Sequence, residues 1–337
     1  MIRIIGRIAS VGLLAATTVA VQAGAQQQVA PAPPQQPATT STQTPTAPAP
    51  NAAPTFPKVD PRNFTATTPT KDDVNAFLHA SWGYDENRTW EVAAILKTPV
   101  PNLSKVIVYI GDKTGKEKPQ GFLFWALPDG KHIIAGEDVY PFGSNPYAEN
   151  RAILQQRADG PYRGSADKTL ELVEFADFEC PHCKEAQANM DKLAVDFPKA
   201  HIVFQNYPLE RIHPEAKQAA EYGACVTKMG GSSAFFQFAS AVFDGQEGLV
   251  TPDGATLTLN SAVTKAGLDP AKVAACAGEP ATSEEVQKSV QLAQDLNINS
   301  TPTLMINGRQ VPGVGSVPYD TLKKILLYQE KLDGIAQ

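Results

Sequence analysis

The sequence predicts an α/β domain carrying a helical insertion, preceded by a small α+β domain. Three observations point that way. From residue 166 onward, apolar runs and amphipathic stretches follow the order strand, helix, strand, helical insert, hairpin, helix. Residues 66–145 hold one helical stretch followed by several strand-like runs separated by turn signals. Residues 26–65 contain almost nothing that a core would bury. A chain of 337 residues has room for about two domains at roughly 150 residues each.

The opening "MIRIIGRIASVGLLAATTVAVQAGA" places Arg3 and Arg7 before an apolar run from Ile8 to Val21. Ala23 and Ala25 then fit a small-residue cleavage site. Residues 1–25 therefore read as a secretory signal removed after about Ala25. The apolar run is short for a span, which needs about 20 residues, so an uncleaved anchor is the lesser alternative. No cysteine lies near the cleavage site to carry a lipid. The expected home is the periplasm, where thiols oxidise and stay oxidised. Residues 26–65 are rich in Pro, Ala, Gln and Thr and read as a disordered linker. With 29 Lys+Arg against 35 Asp+Glu the formal charge is −6, and no basic patch invites nucleic acid.

The front domain opens on "TPTKDDVNAFLHASWG". Thr70 is a helix N-cap, Asp72 and Asp73 suit the positive first turn, and Val74, Phe77 and Leu78 share one face. "TWEVAAIL", "KVIVYIG", "GFLFWAL" and "KHIIAGEDVY" follow as strands. Residues 146–165 form a polar connector with Gly and Pro. "LELVEF" is then a buried strand, "CPHCKEAQANMDKLAVDF" a helix beginning at the cysteines, and "AHIVFQNYPL" a second strand. A helical insertion spans about residues 210–297, with a loop near Gly245 to Asn260. "TPTLMING" and "RQVPG" return to strands, and "VPYDTLKKILLYQEKL" closes the chain as an amphipathic helix.

Cys180 and Cys183 bracket Pro181 and His182, and such a pair can bind metal, staple a loop or pass electrons. A structural zinc site needs two further ligands. Cys225 and Cys276 are isolated, and the five histidines lack an H-x₃₋₅-H spacing. As a staple, a loop this short contributes only about 2 kcal/mol in the chain-entropy model. Redox chemistry fits best. A helix start places Cys180 among unpaired N–H groups at the positive end of the dipole, which favours thiolate over thiol. A stabilised thiolate leaves readily, so the corresponding disulfide is easily reduced. Cys183, one turn further in, suits resolution of a mixed disulfide. His182 adds a donor or a positive charge beside the sulfur, or simply faces solvent.

Glu174 shares a strand face with Leu172 and Ala176 by the two-residue period. A carboxylate there is costly without a proton or a partner, and it can take the proton when Cys183 attacks. A surface glutamate at a strand bend is the competing assignment. Cys225 and Cys276 would close about 50 residues if bonded, worth roughly 4 kcal/mol. An oxidising compartment favours that structural disulfide over two buried thiols and over a second redox pair.

"FADFECPHCKEAQ" and "STPTLMINGRQVPG" together resemble the periplasmic thioredoxin-fold disulfide-bond proteins of the DsbA and DsbC/DsbG type, over roughly residues 166–337. The resemblance implies a thioredoxin fold with its helical insertion between strands. It implies that Pro302 is a cis-proline facing the cysteines, and that Thr301 offers its backbone to an extended substrate. It also implies that Glu174 is the buried acid beneath the pair. Residues 66–145, through "KTPVPNLSKVIVYIG" and "LPDGKHIIAGEDVY", resemble the DsbC/DsbG dimerisation domain, which implies a homodimer around a shared cleft. The implied partners are secreted or unfolded proteins and a DsbB- or DsbD-like membrane redox protein. No organic cofactor is required, since the electrons reside in sulfur. The Pro-His dipeptide resembles an oxidase, whereas the front domain and Thr301 resemble an isomerase. A chaperone-like binding module and a metal-binding protein are the rival functions.

Overall fold

The structure is a computed structural model that describes residues 55–115 and 118–335. The expected signal segment and most of the expected linker lie outside the described residues. The linker's last part does not follow expectation. Pro61–Asn63 form a turn of 3-10 helix, and Phe64 bridges Ile95 and packs against the front core. The Phe64 ring and the Thr65 N–H, which donates to Ile95 O at 3.0 Å, tie down the end of a stretch that composition reads as featureless.

The front domain is a five-stranded antiparallel meander with one helix. Helix α1 (Lys71–Trp82) begins at Thr70, whose side chain accepts from the Asp73 N–H while the Asp73 carboxylate accepts from the Thr70 N–H. Strands β1 (Arg88–Lys97), β2 (Ser104–Asp112), β3 (Gln120–Ala126), β4 (His132–Ala135) and β5 (Asp138–Pro141) pair in sequence order. Val74, Phe77 and Leu78 of α1 pack with Val92, Val106, Val108 and Phe124. "KHIIAGEDVY", expected as one strand, is the β4–β5 hairpin. Its two-residue loop is Gly136-Glu137, and Gly136 takes φ 65°, a left-handed conformation that such tight hairpin turns need.

The second sheet has the order β10 (Arg309–Pro312), β9 (Thr303–Ile306), β7 (Glu171–Ala176), β8 (His201–Asn206), β6 (Tyr162–Gly164). Central strand β7 (Glu171–Ala176) runs parallel to β8 (His201–Asn206), and helix α3 (Pro181–Asp196) crosses between them. Strand β9 (Thr303–Ile306) lies antiparallel to β7, and β10 (Arg309–Pro312) antiparallel to β9. The segment expected as a connector contributes to this domain. It contains helix α2 (Ala148–Arg157) and edge strand β6 (Tyr162–Gly164). Leu154 and Ala158 are buried with Val173 and Phe175, so a narrow apolar stripe suffices for a helix whose other faces are polar.

The insertion is helical throughout most of its length: α4 (Ala216–Asp244), α5 (Pro252–Lys265), α6 (Pro270–Ala277) and α7 (Pro280–Asp295). Gly231, at φ 72°, breaks α4 into two helical parts. The expected loop from Gly245 to Asn260 is instead a 3-10 turn, Gln246–Val250, followed by the start of α5. "TPDG" carries turn residues, but Thr251 caps the Gly254 N–H and Pro252 sits at the first helical position, where its missing N–H costs nothing. Helix α8 (Tyr319–Leu332) closes the fold by burying Leu322, Ile325 and Leu326.

The front helix is tied to the second domain by a buried arginine. Arg309 of β10 donates from Nη1 to Ser81 O at 3.0 Å, from Nη2 to Ala80 O, and from Nε to Gln329 Oε1 at 2.9 Å. Its guanidinium lies 4.3 Å from the Tyr147 ring centroid. Tyr328 Oη donates to His79 O at 2.6 Å. A cation thus meets the unpaired carbonyls at the negative end of α1.

Candidate active site

The chain leaves β7 at Ala176, turns through Asp177–Glu179 and enters α3 with Cys180 as N-cap. Cys180 is extended (φ −73°, ψ 119°), and Pro181 at the first helical position has the φ a helix requires. The helix start read from the sequence is therefore where the sulfur sits. Cys180 is 5% exposed and Cys183 fully buried, and both are thiols. The Cys180 thiol faces Thr301 O at 3.6 Å, and the Asp177 N–H donates to Cys183 Sγ at 3.4 Å. The Thr301–Pro302 peptide is cis, and the loop it forms opposes the cysteine pair from the start of β9.

The two sulfurs are driven apart in acidity. Cys180 is pulled down to about 5, foremost because the Cys183 thiol donates to its sulfur. Burial opposes this, while Thr301 and the backbone N–H groups of Cys183 and His182 assist. The Thr301 hydroxyl is buried without a hydrogen-bond partner. Cys183 is pushed well above an ordinary thiol, first by burial and then by donating to Cys180. His182 contributes its backbone more directly than its ring. The imidazole is on the surface, 3.0 Å from Glu185 Oε2, and that ion pair raises its pKa. Pro181 is exposed beside it.

Glu174 is 3% exposed, on the face of β7 that α3 covers. Burial pushes its carboxyl up to about 7, while Arg163 and the Gln187 amide pull it back and Asp191 pushes it further. Gln187 Nε2 donates to Glu174 Oε1 at 2.9 Å and to Cys183 O at 3.1 Å. Cys183, Gln187 and Asp191 follow at four-residue spacing and so line one face of α3. Arg163 Nη1 meets Asp191 Oδ1 at 2.7 Å at the far end of that face.

Sequence reasoning missed the residues that hold this arrangement from a distance. Asp177 is buried and accepts from the Leu209 N–H and His213 Nδ1, each at 2.8 Å, and from the Glu179 N–H at 2.8 Å. Gln246 reaches the backbone of the Cys180 turn from the insertion. Gln187 had a usable signal, one helical turn after Cys183 and so on the same face. Gln246 had none.

The other two cysteines lie apart from this site. Cys225 of α4 and Cys276 of α6 are joined in a disulfide with their Cα atoms 6.0 Å apart, both buried in the insertion core. Among the described residues no group of three or more His, Cys, Asp and Glu is arranged to hold a metal ion. Among the same residues no helix is long and apolar enough to cross a membrane.

A thioredoxin family model matches residues 156–327, about half of the chain. Curated relatives include a Na+/H+ antiporter NhaA 3 of Salinispora tropica, 28% identical over 45% of this chain and 22% of that protein. An antiporter NhaA 1 of Mycolicibacterium vanbaalenii is 30% identical over 48% of this chain and 25% of its own. The chain thus spans about a quarter of these relatives, and ion exchange is not carried over from them. A thioredoxin-like oxidoreductase from Silicibacter pomeroyi is similar at 23% identity and TM-score 0.46, over 54% of this chain and 98% of that one. BdbD of Bacillus subtilis is similar at 23% identity and TM-score 0.43, over 51% and 92%. At these values the structural likenesses carry nothing about activity.

Proposed function

The chain belongs to the thioredoxin family, and from that premise we propose that it is a DsbA-like thiol–disulfide oxidoreductase working on secreted proteins in the periplasm. The observation that carries this is the split within one cysteine pair: Cys180 held down to about 5, Cys183 pushed far up, and a buried acid at about 7 whose Gln187 partner also donates to the Cys183 backbone carbonyl.

In the reduced enzyme the Cys180 thiolate attacks one sulfur of a substrate disulfide. A mixed disulfide forms, and the substrate's other sulfur leaves as thiolate and takes a proton. Cys183 then gives its proton to Glu174 and attacks Cys180 Sγ. The enzyme disulfide closes, the second substrate thiolate departs, and two electrons have passed to the substrate. Run backwards from the oxidised enzyme, the same steps insert a disulfide into a dithiol. Because the Cys180 thiolate is the stabilised species, the enzyme disulfide is the easier one to reduce.

Thr301 and Pro302 lie where an extended substrate segment would pass beside Cys180, and Pro302 has no N–H to compete for it. Pro181 starts the helix, and His182 adds positive charge near the sulfur. Cys225–Cys276 is a structural bond in the insertion. The front domain pairs two copies in the DsbC/DsbG manner, which the exposed edge strand β5 supports. Such a dimer favours isomerisation, with a membrane partner resetting the pair.

The test is alkylation of the reduced protein by iodoacetamide across pH. A Cys180 midpoint near 5 and a mixed disulfide trapped by Cys183→Ala are expected. A midpoint like that of free cysteine would overturn the mechanism. Thiol trapping in cell extracts then separates the two directions: a reduced Cys180 means an isomerase, an oxidised one an oxidase.

A further inference from the structure

We propose that Gln246, carried by the helical insertion, is a positioning residue for the nucleophile, bracing the backbone turn on which Cys180 sits. This rests on the oxidoreductase reading above and adds to it a residue 66 positions from Cys180 in the chain.

Gln246 opens the 3-10 turn Gln246–Val250 and is 9% exposed. Its Nε2 donates to Phe178 O at 2.8 Å and to Cys180 O at 2.9 Å. Both acceptors are carbonyls, so only the amide nitrogen, with its two hydrogens, can serve them together. The turn itself cannot drift. Leu249 is fully buried in the cluster that also holds Phe178, Cys180 and Cys183. The turn is also closed at the Gly248 Cα, where an added Cβ would collide with Thr258 Oγ1 of α5.

The two braced carbonyls lie on either side of the Glu179–Cys180 segment, Phe178 O just before Glu179 and Cys180 O just after the nucleophile's Cα. Cys180 O also accepts the Cys183 N–H at 3.0 Å, the bond that closes the first turn of α3. Cys180 O fixes the peptide plane that follows the nucleophile, and Phe178 O anchors the plane before Glu179, so the two-residue segment between them is held at both ends and the direction of the Cys180 Cα–Cβ bond is restricted. The sulfur is thereby kept where the Cys183 thiol and the His182 and Cys183 N–H groups act on it. Those donors act over short distances and narrow angles, so a small rotation of the turn weakens all of them together. Hydrogen bonds within α3 cannot supply this restraint, because Phe178 O lies outside the helix.

The experiment uses the full-length protein with Gln246→Met, which keeps the length and removes both donors, and Gln246→Ala as a second variant. The pH midpoint of Cys180 alkylation is measured, together with the exchange equilibrium against glutathione. Expected is a rise of the midpoint by about half to one pH unit. The glutathione equilibrium shifts in parallel by about three- to tenfold toward a less oxidising pair. Far-UV circular dichroism and the Cys225–Cys276 bond stay as in the wild type. Folded variants with the wild-type midpoint would overturn the proposal. So would loss of folding in both, since Gln246 would then be a folding element and not a positioning one. An ordinary midpoint in the wild-type protein brings down the oxidoreductase reading itself. A low wild-type midpoint matched by the variants removes only the role of Gln246.

Discussion

The molecule contains two cysteine pairs that share a compartment, a domain and a degree of burial, yet differ in every chemical respect. Cys180 and Cys183 are three positions apart at a helix start, held as thiols of opposite acidity. Cys225 and Cys276 are 51 positions apart on two helices, joined and surrounded by apolar side chains. Burial alone therefore does not make a thiol reactive or inert. At the first pair, helix N–H groups and a neighbouring thiol face the sulfur. At the second, the polar neighbour is the Thr282 hydroxyl, 3.6 Å from Cys225 Sγ, which is already engaged in donating to Cys276 O. A bond across the first pair would close only a four-residue loop, whereas the second closes a long one.

The comparison can be broken most decisively at Cys180. Cys180→Ser should abolish reduction of a disulfide peptide, by at least about a thousandfold, while the melting temperature stays near that of the oxidised wild type. The double variant Cys225→Ser with Cys276→Ser should do the opposite. It should lose about 4 kcal/mol in denaturant unfolding and keep the Cys180 alkylation midpoint. If that variant instead lost its turnover at full stability, the two pairs would not be separate.

Next in size is the pH dependence of the reduced form. The Cys180 pKa is depressed by folding, so its contribution to stability is present above the unfolded-state thiol pKa and is lost as pH falls through about 5. At pH 7 that contribution is about 3 kcal/mol. The reduced protein should thus unfold at higher denaturant than the oxidised one at pH 7, and the gap should shrink toward pH 5. Equal midpoints for the two forms at pH 7 would contradict the stabilised thiolate.

The smallest expected effect sharpens the role of the buried acid. Folding raises the Glu174 pKa, so its share of stability is present below about 4.5 and is lost as pH rises through about 7. Glu174→Gln should therefore be more stable than the wild type above pH 8, by roughly 2 to 3 kcal/mol. The same variant should resolve mixed disulfides more slowly, measured by quenched-flow trapping. Greater stability without slower resolution would leave Glu174 a buried acid with no part in proton transfer.

Much of this site was legible because its chemistry is local in sequence. The cysteine spacing, the preceding apolar strand and the proline at the helix start all act within a few residues, and backbone geometry follows from them. Glu174 was legible from the alternation along β7. The loop expected from Gly245 to Asn260 was misread because Pro, Asp and Gly suit both a turn and a helix's first turn. Only the burial of Ala255, Leu259, Ala262 and Val263 decides between them. The same burial delivers Gln246 to the Cys180 turn.

The sequence by itself determined that a sulfur would stand at the N-terminus of a helix following a buried strand, because capping and strand period depend on near neighbours. Only the tertiary structure decided which distant groups meet that sulfur and its surroundings: the Thr301 carbonyl beside the Cys180 thiol, the Gln246 amide on the Cys180 turn, and the Gln187 amide on Glu174. Those contacts arise where separate elements close on one core, and side-chain hydrogen bonds across such gaps leave no period in the chain to be read. The same holds for Arg309, whose place at the end of α1 depends on how the front helix docks against β10.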